Sequence, residues 1–177
     1  MSTRGLIGIK QKNGSIRYIY NHHDSYPAYL MKEIYLAIKE YPLNKLQADM
    51  ESGEWNNSDM TNITGIDYLW HEFVYIIDFD KKKWSAYQTK ADVKDNMRGK
   101  LMPLMENIKF GDALIFATTK GSGLYKIIKV KKIIKDEPNY VVVKGEDEYY
   151  LVDKNDEFIS SSKSKKDILQ KAISEKI

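Results

Sequence analysis

The sequence predicts an α+β protein: an antiparallel sheet built from hairpins, one packed helix, a β-rich C-terminal half and a terminal amphipathic helix. Three observations carry this. Asn13-Gly14 joins two short β-type segments, and both turn positions tolerate positive φ, the strongest short-range hairpin signal. A second strand pair follows at FVYIIDF (Phe73–Phe79), the turn DKKK and the return WSAYQT. Between the two pairs, Leu30, Ile34, Ile38 and Tyr41 recur at helical spacing.

Taken in order, RGLIGIK (Arg4–Lys10) reads as a strand in which Gly5 and Gly8 permit close backbone approach. SIRYIYN (Ser15–Asn21) is its return strand. HHDS then turns the chain into a helix over Pro27–Tyr41. Pro27 suits the first helical turn, Asp24 or Ser25 can cap it, and Pro42 ends it. Residues 44–65 are polar, with one short helix over Lys45–Met50. Residues 91–108 are less regular, and Met97, Leu101, Leu104 and Met105 form one helical face interrupted by Pro103. From Phe110 the texture is β-rich, as a meander or small barrel. The tail carries Ile168, Leu169, Ala172, Ile173 and Ile177 on one helical face. The division falls into residues 1–106 and 107–177, either as two units or as parts of one domain.

Bulk properties narrow the function. The chain has 177 residues, 42% hydrophobic and 30% charged, which suits a globular protein with a sizeable core. A net charge of +3 does not by itself call for nucleic acid. No apolar run approaches the roughly 18 residues that span a bilayer, and MSTRGLIGIKQ has no signal-peptide core. A cytoplasmic protein without a membrane partner is expected. There is no cysteine, so disulfides and thiolate chemistry are excluded. Lys120–Lys135 carries six lysines and no acid, whereas Asp136–Glu157 carries eight acids and two lysines. Opposite charge on adjacent antiparallel strands pairs across a sheet, so self-complementation competes with an exposed anion-binding face at Lys120, Ser122 and Lys126.

The candidate site is YNHHDSYPAYL (Tyr20–Leu30), which holds two of the three histidines. Asn21, His22, His23, Asp24, Ser25 and Tyr26 supply donors, acceptors and imidazoles at a strand end. They also stand at a helix N-terminus, whose free N–H groups suit an anion. Tyr20 and Tyr26 can stack on a base, and Arg4 can reach phosphate. The plain alternative is a polar capping turn. Metal is not expected, because His22, His23, Asp24 and His71 lack ligand spacing and adjacent strand residues point to opposite faces. No cofactor is expected. A free α-amino group could activate Ser2, if Met1 is removed, or Thr3 as an N-terminal nucleophile.

The order of small nucleophile, glycine-containing strand, hairpin and Asn21-His22-His23-Asp24 resembles N-terminal nucleophile hydrolases whose first hairpin ends in Asn-Arg-Asp-Glu. That resemblance covers about the first 30 residues, and the usual cysteine is absent. A second resemblance is closer in its letters. Thr3, Arg4, Gly5 and Gly8, then Tyr20–His22 and Asp24–Pro27, then Trp70, Glu72, Tyr75, Ile77, Asp78 and Asp80, resemble a family of small phage and bacterial proteins that begin T-R-G-x-x-G and continue Y-N-H-x-D-S-Y-P. It spans about half the chain and supplies a context without an activity. GDALIFATTKGSGLYKIIKV faintly resembles the barrel of PUA-like domains. The leading expectation is a non-enzymatic binding protein, phage-derived, acting in the host cytoplasm. It would capture an anionic small ligand such as a nucleotide signal, or block a host protein as an inhibitor of host defence. The alternatives are an N-terminal nucleophile amidohydrolase and a PUA-like RNA binder. A homo-oligomer is compatible with each.

Overall fold

The computed structural model describes residues 3–22, 24–55, 61–63, 71–90, 100–119, 125–155 and 157–175. The chain divides into two compact units, Met1–Gly111 and Asp112–Ile177, and its class is α+β. Among the described residues, no helix is long and apolar enough to cross a membrane.

In the first unit, β1 (Gly5–Lys10) and β2 (Ile16–Asn21) form the expected hairpin. Gly14 takes φ 85°, and Asn13 Oδ1 accepts the Ser15 N–H at 3.0 Å, which sets the turn. β3 (Thr61–Ile63), β4 (Phe73–Asp78), β5 (Lys83–Lys90) and β6 (Lys100–Lys109) complete a sheet of order β3-β2-β1-β4-β5-β6. The Asp78 carboxylate accepts the Lys81 N–H at 2.9 Å in the β4–β5 turn. The two hairpins join through a parallel β1–β4 pair, Gly8 opposite Ile76, so the sheet is mixed at its centre. A parallel pair needs a long crossover, and the helices between β2 and β4 supply it. Central β1 is buried on both faces: Leu6 packs with Tyr18 and Val74, while Ile7 and Ile9 point the other way and are equally buried.

The first helix begins at Pro27 with a wide turn in which the Lys32 N–H reaches the Pro27 carbonyl. It continues as α1 (Lys32–Glu40). The residue preceding the helix is Tyr26, and no side chain caps it, so neither Asp24 nor Ser25 plays the capping role expected of it. Leu30, Met31, Ile34 and Ile38 are buried, whereas Tyr41, expected on the same stripe, is half exposed because the chain is already extended there. Pro42 leads straight into α2 (Leu43–Ser52). That helix ends at Gly53, whose left-handed φ of 82° lets its N–H bond the Met50 carbonyl.

The helical face expected over Leu101, Leu104 and Met105 is instead strand β6; Met97 lies outside the described residues. Pairing with β5 overrides the local spacing. Pro103, which would break a helix, is tolerated on an edge strand that breaks register beside it.

The second unit contains β7 (Ala113–Thr119), β8 (Tyr125–Val130), β9 (Lys132–Asp136), β10 (Tyr140–Lys144), β11 (Tyr149–Asp153), β12 (Glu157–Ser162) and α3 (Lys165–Ser174). Its sheet runs β8-β7-β12-β11-β10-β9, with β7 and β12 parallel. The two edge strands, β8 and β9, are separated by Lys131 alone, so the sheet must curl until its edges meet. One face gathers Ala117, Ile128, Val143 and Val152; the other packs Tyr140, Val142 and Leu151 against Ile168 and Ala172 of α3. Ile173, expected on the buried stripe of α3, is 74% exposed, because five residues beyond Ile168 the helix has turned well past the sheet. Ser164 caps α3 by accepting the Asp167 N–H at 3.3 Å. Ser164→Ala should therefore lower the unfolding free energy by about 1 kcal/mol, read from urea denaturation followed by far-UV circular dichroism.

Three lysines of the basic block pair with carboxylates of the acidic one. Lys131 meets Glu146 at 3.3 Å, Lys135 meets Glu137 at 2.9 Å and Lys126 meets Glu148 at 4.0 Å, and Lys154 pairs with Asp136. Lys129 bonds Asp112 at 2.6 Å. Such pairs are each worth little at the surface, and the acids sit mainly in the turns at Glu137 and at Glu146–Glu148 while β10 carries none, so the pairing joins lysines to turn carboxylates and not, as expected from the sequence, two facing strands of opposite charge.

Candidate ligand-binding edge

The register of β1 builds the site. Gly5 stands opposite Asn21 on β2 and beside Phe73 on β4, so Arg4, His22 and Glu72 come together at one end of the sheet. The Glu72 N–H bonds the Arg4 carbonyl at 2.9 Å, which ties the approach to β4 onto β1.

From here the chain folds back on itself. Asp24 takes φ 45°, a left-handed conformation that Asp tolerates better than most residues, and this drops Ser25 into the interior with no exposed surface. Ser25 is then held on four sides. Asn21 Nδ2 donates to Ser25 Oγ at 2.8 Å, and Ser25 Oγ lies 3.4 Å from the Asn21 carbonyl, to which it donates. The Ser25 N–H bonds the Thr3 carbonyl at 3.2 Å, and the buried Tyr75 hydroxyl donates to the Ser25 carbonyl at 2.7 Å. Burial raises the Tyr75 hydroxyl well above its ordinary pKa, so it remains a donor. The space for Ser25 exists because Gly5 has no side chain.

Outside this buried clasp lies a cluster of rings. The Tyr20 ring meets the His22 imidazole edge-on at 4.2 Å between centroids, and the His71 imidazole at 5.1 Å. Arg4 and Asp24 are exposed; Tyr20, His22, Tyr26 and His71 are half-buried. Tyr26 stacks edge-on with Tyr29 at 5.0 Å, and Tyr29 lies open to solvent.

The sequence-derived candidates thus separate into two groups. Asn21 and Ser25 spend polar groups on holding the loop. Arg4, Tyr20, His22 and Asp24 present chemistry at its surface. His71 joins them, although in the sequence it stood out only as a potential metal ligand, 49 positions from His22. Tyr75 was missed as a clasp residue. Its hydroxyl sits in an apolar strand pattern that reads the same with Phe, and the family resemblance that includes Tyr75 assigns it no role. Ser2, His23, Lys120 and Ser122 lie outside the described residues. The Thr3 carbonyl accepts from Ser25. Lys126 lies over the Tyr150 and Phe158 rings at 4.8 and 4.7 Å while pairing with Glu148. Among the described residues, no three His, Asp or Glu side chains converge as a metal site would require.

Comparison with protein-family models, curated proteins and solved structures finds no match.

Proposed function

We propose that this chain is a binding protein for an anionic, ring-bearing small molecule, a nucleotide being the type case, held where Arg4, Tyr20, His22 and His71 meet. The observation that carries the reading is the ring cluster of Tyr20, His22 and His71 beside an exposed guanidinium on the adjoining strand. Aromatic faces stack on any base, at about 1–3 kcal/mol per base. A guanidinium takes phosphate oxygens in a bidentate fork. Imidazoles hydrogen-bond ring edges or sugar hydroxyls. The buried Asn21–Ser25–Tyr75 clasp supports a binding role, because a site is useful only when its backbone is held. In a phage setting such a protein would sequester a nucleotide signal of its host.

The test is calorimetric titration of the protein with a panel of mono-, di- and cyclic nucleotides. Arg4→Ala with Tyr20→Leu removes the charge and the stacking face while keeping an apolar group against the sheet. The double substitution should weaken nucleotide binding by about 70-fold or more, the product of one stacking contact at about 1–3 kcal/mol and one charge-assisted contact at about 1.5–3 kcal/mol, with the circular dichroism unchanged. Unaltered affinity in the folded double variant would refute the assignment.

A further inference from the structure

β1 and β4 lie side by side and parallel, and from their C-terminal ends the chain leaves in opposite directions. After Lys10 it turns back into β2, and after Asp78 it turns back into β5 on the other side. Neither connection crosses the gap between the two ends. Divergence of neighbouring connections is what opens the ligand crevice of parallel sheets, outside the carboxyl ends of the strands. A crevice is present here, at the far end of β1 from the ring cluster. It has two adjoining lobes of about 450 and 320 Å³, which share Lys10, Gln11, Lys12, Asn13 and Asp80.

Its walls are fixed. In the β1–β2 turn the Gln11 N–H bonds the Ser15 carbonyl at 2.8 Å, and the Gly14 N–H bonds the Gln11 carbonyl at 2.9 Å. In the β4–β5 turn Asp78 is buried; one carboxylate oxygen accepts the Lys81 N–H, and the other lies 3.6 Å from the Lys10 ammonium. α2 closes a third side, where the Glu51 carboxylate accepts from the side-chain amides of Gln47 at 2.9 Å and Gln11 at 3.4 Å. Two of the three carboxylates around the crevice are thus spent on the protein's own donors. Asp80 remains, with Lys12 and Lys81, and these three are exposed and form no ion pair among the described residues. No aromatic side chain lines either lobe among the described residues, so a nucleobase finds no face to stack on.

We propose that this crevice binds a phosphorylated sugar, with its phosphate between the Lys12 and Lys81 ammonium groups and its hydroxyls donating to the Asp80 carboxylate. Two cations match a phosphate dianion, and a carboxylate left free by the protein accepts hydroxyl hydrogens in charge-assisted bonds. The volume is that of a small-molecule site. The crevice shares no residue with the Arg4–Tyr20–His22–His71 edge and does not depend on it.

Calorimetric titration of the full chain with glucose 6-phosphate and ribose 5-phosphate, and with inorganic phosphate as the reference anion, tests this. The wild type should bind a sugar phosphate more tightly than inorganic phosphate. Lys12→Ala with Lys81→Ala should weaken that binding by about tenfold or more, at least one charge-assisted hydrogen bond, with the circular dichroism unchanged. Asp80→Ala should bring the sugar phosphate down to the affinity of inorganic phosphate. Arg4→Ala with Tyr20→Leu, at the other end of β1, should leave the binding as it is. A wild type that binds neither sugar phosphate, or binds them no better than inorganic phosphate, would overturn the proposal. So would unaltered affinity in the folded lysine variant, or loss of binding in the Arg4→Ala, Tyr20→Leu variant, which would place the sugar phosphate at the ring cluster.

Discussion

Gly5→Ala should destabilise the first unit by about 2–3 kcal/mol, at the upper end of what one added methyl costs in a well-packed interior. A Cβ on Gly5 would lie 2.5 Å from the Ser25 Cβ, 2.7 Å from its Oγ and 3.2 Å from the Phe73 carbonyl oxygen. The last of these is backbone in the central parallel pair and has little room to move. Ser25 is itself held by donors from Asn21 and Tyr75 and by its own N–H on the Thr3 carbonyl, so the clash cannot be relieved by rotating one side chain. Urea denaturation reads the loss as a lower midpoint. The mechanism has a sharper signature in the double variant Gly5→Ala with Ser25→Gly. Removing the Ser25 Cβ and Oγ opens the space that the new methyl needs. The two costs should therefore combine to less than their sum, and strict additivity would show that the residues do not meet.

The second large effect is expected at Tyr75→Phe. The ring is fully buried and its shape is retained, so the change isolates the hydroxyl that donates to the Ser25 carbonyl at 2.7 Å. Losing that donor in the interior should cost about 1–3 kcal/mol. It should also change the response to alkali. In the folded protein, burial pushes the Tyr75 pKa well above its ordinary value of 10.0, so the native state keeps the proton that the unfolded chain releases. The unfolded state then binds fewer protons than the native state above pH 10, and stability falls as pH rises through that range. Tyr75→Phe removes this contribution. The variant should start lower at neutral pH and lose less between about pH 10 and 11 than the wild type does, a comparison that denaturation midpoints at several pH values make directly.

These two residues also show where the sequence was legible and where it was not. The Asn13-Gly14 hairpin, the FVYIIDF strand and the helix after Pro27 follow from local rules: turn chemistry, alternation and helical spacing. The parallel union of β1 with β4 has no local signature, because it joins residues 68 apart. The stretch from Leu101 to Met105 has helical spacing yet pairs as a strand, since β5 offers it an edge. At the site, YNHHDSYP reads as a polar turn next to a helix, and it is one. Its inner and outer sides were not readable. Ser25 looks like a helix cap from its position, but it turns inward because the residue opposite is Gly5 and because Tyr75 waits beneath it. The arrival of His71 beside Tyr20 likewise depends on register across three strands and not on neighbours in the chain.

An anionic small molecule held at the Arg4–Tyr20–His22–His71 edge, as proposed, should travel with the protein through purification. Native mass spectrometry of the intact protein purified from cells, followed by denaturation and identification of whatever is released, tests it most directly. The wild type should carry a phosphate-bearing compound, or gain one when titrated with nucleotides, and an Arg4→Ala, Tyr20→Leu variant should carry none. A wild type that emerges empty and takes up none of the nucleotides offered would contradict it.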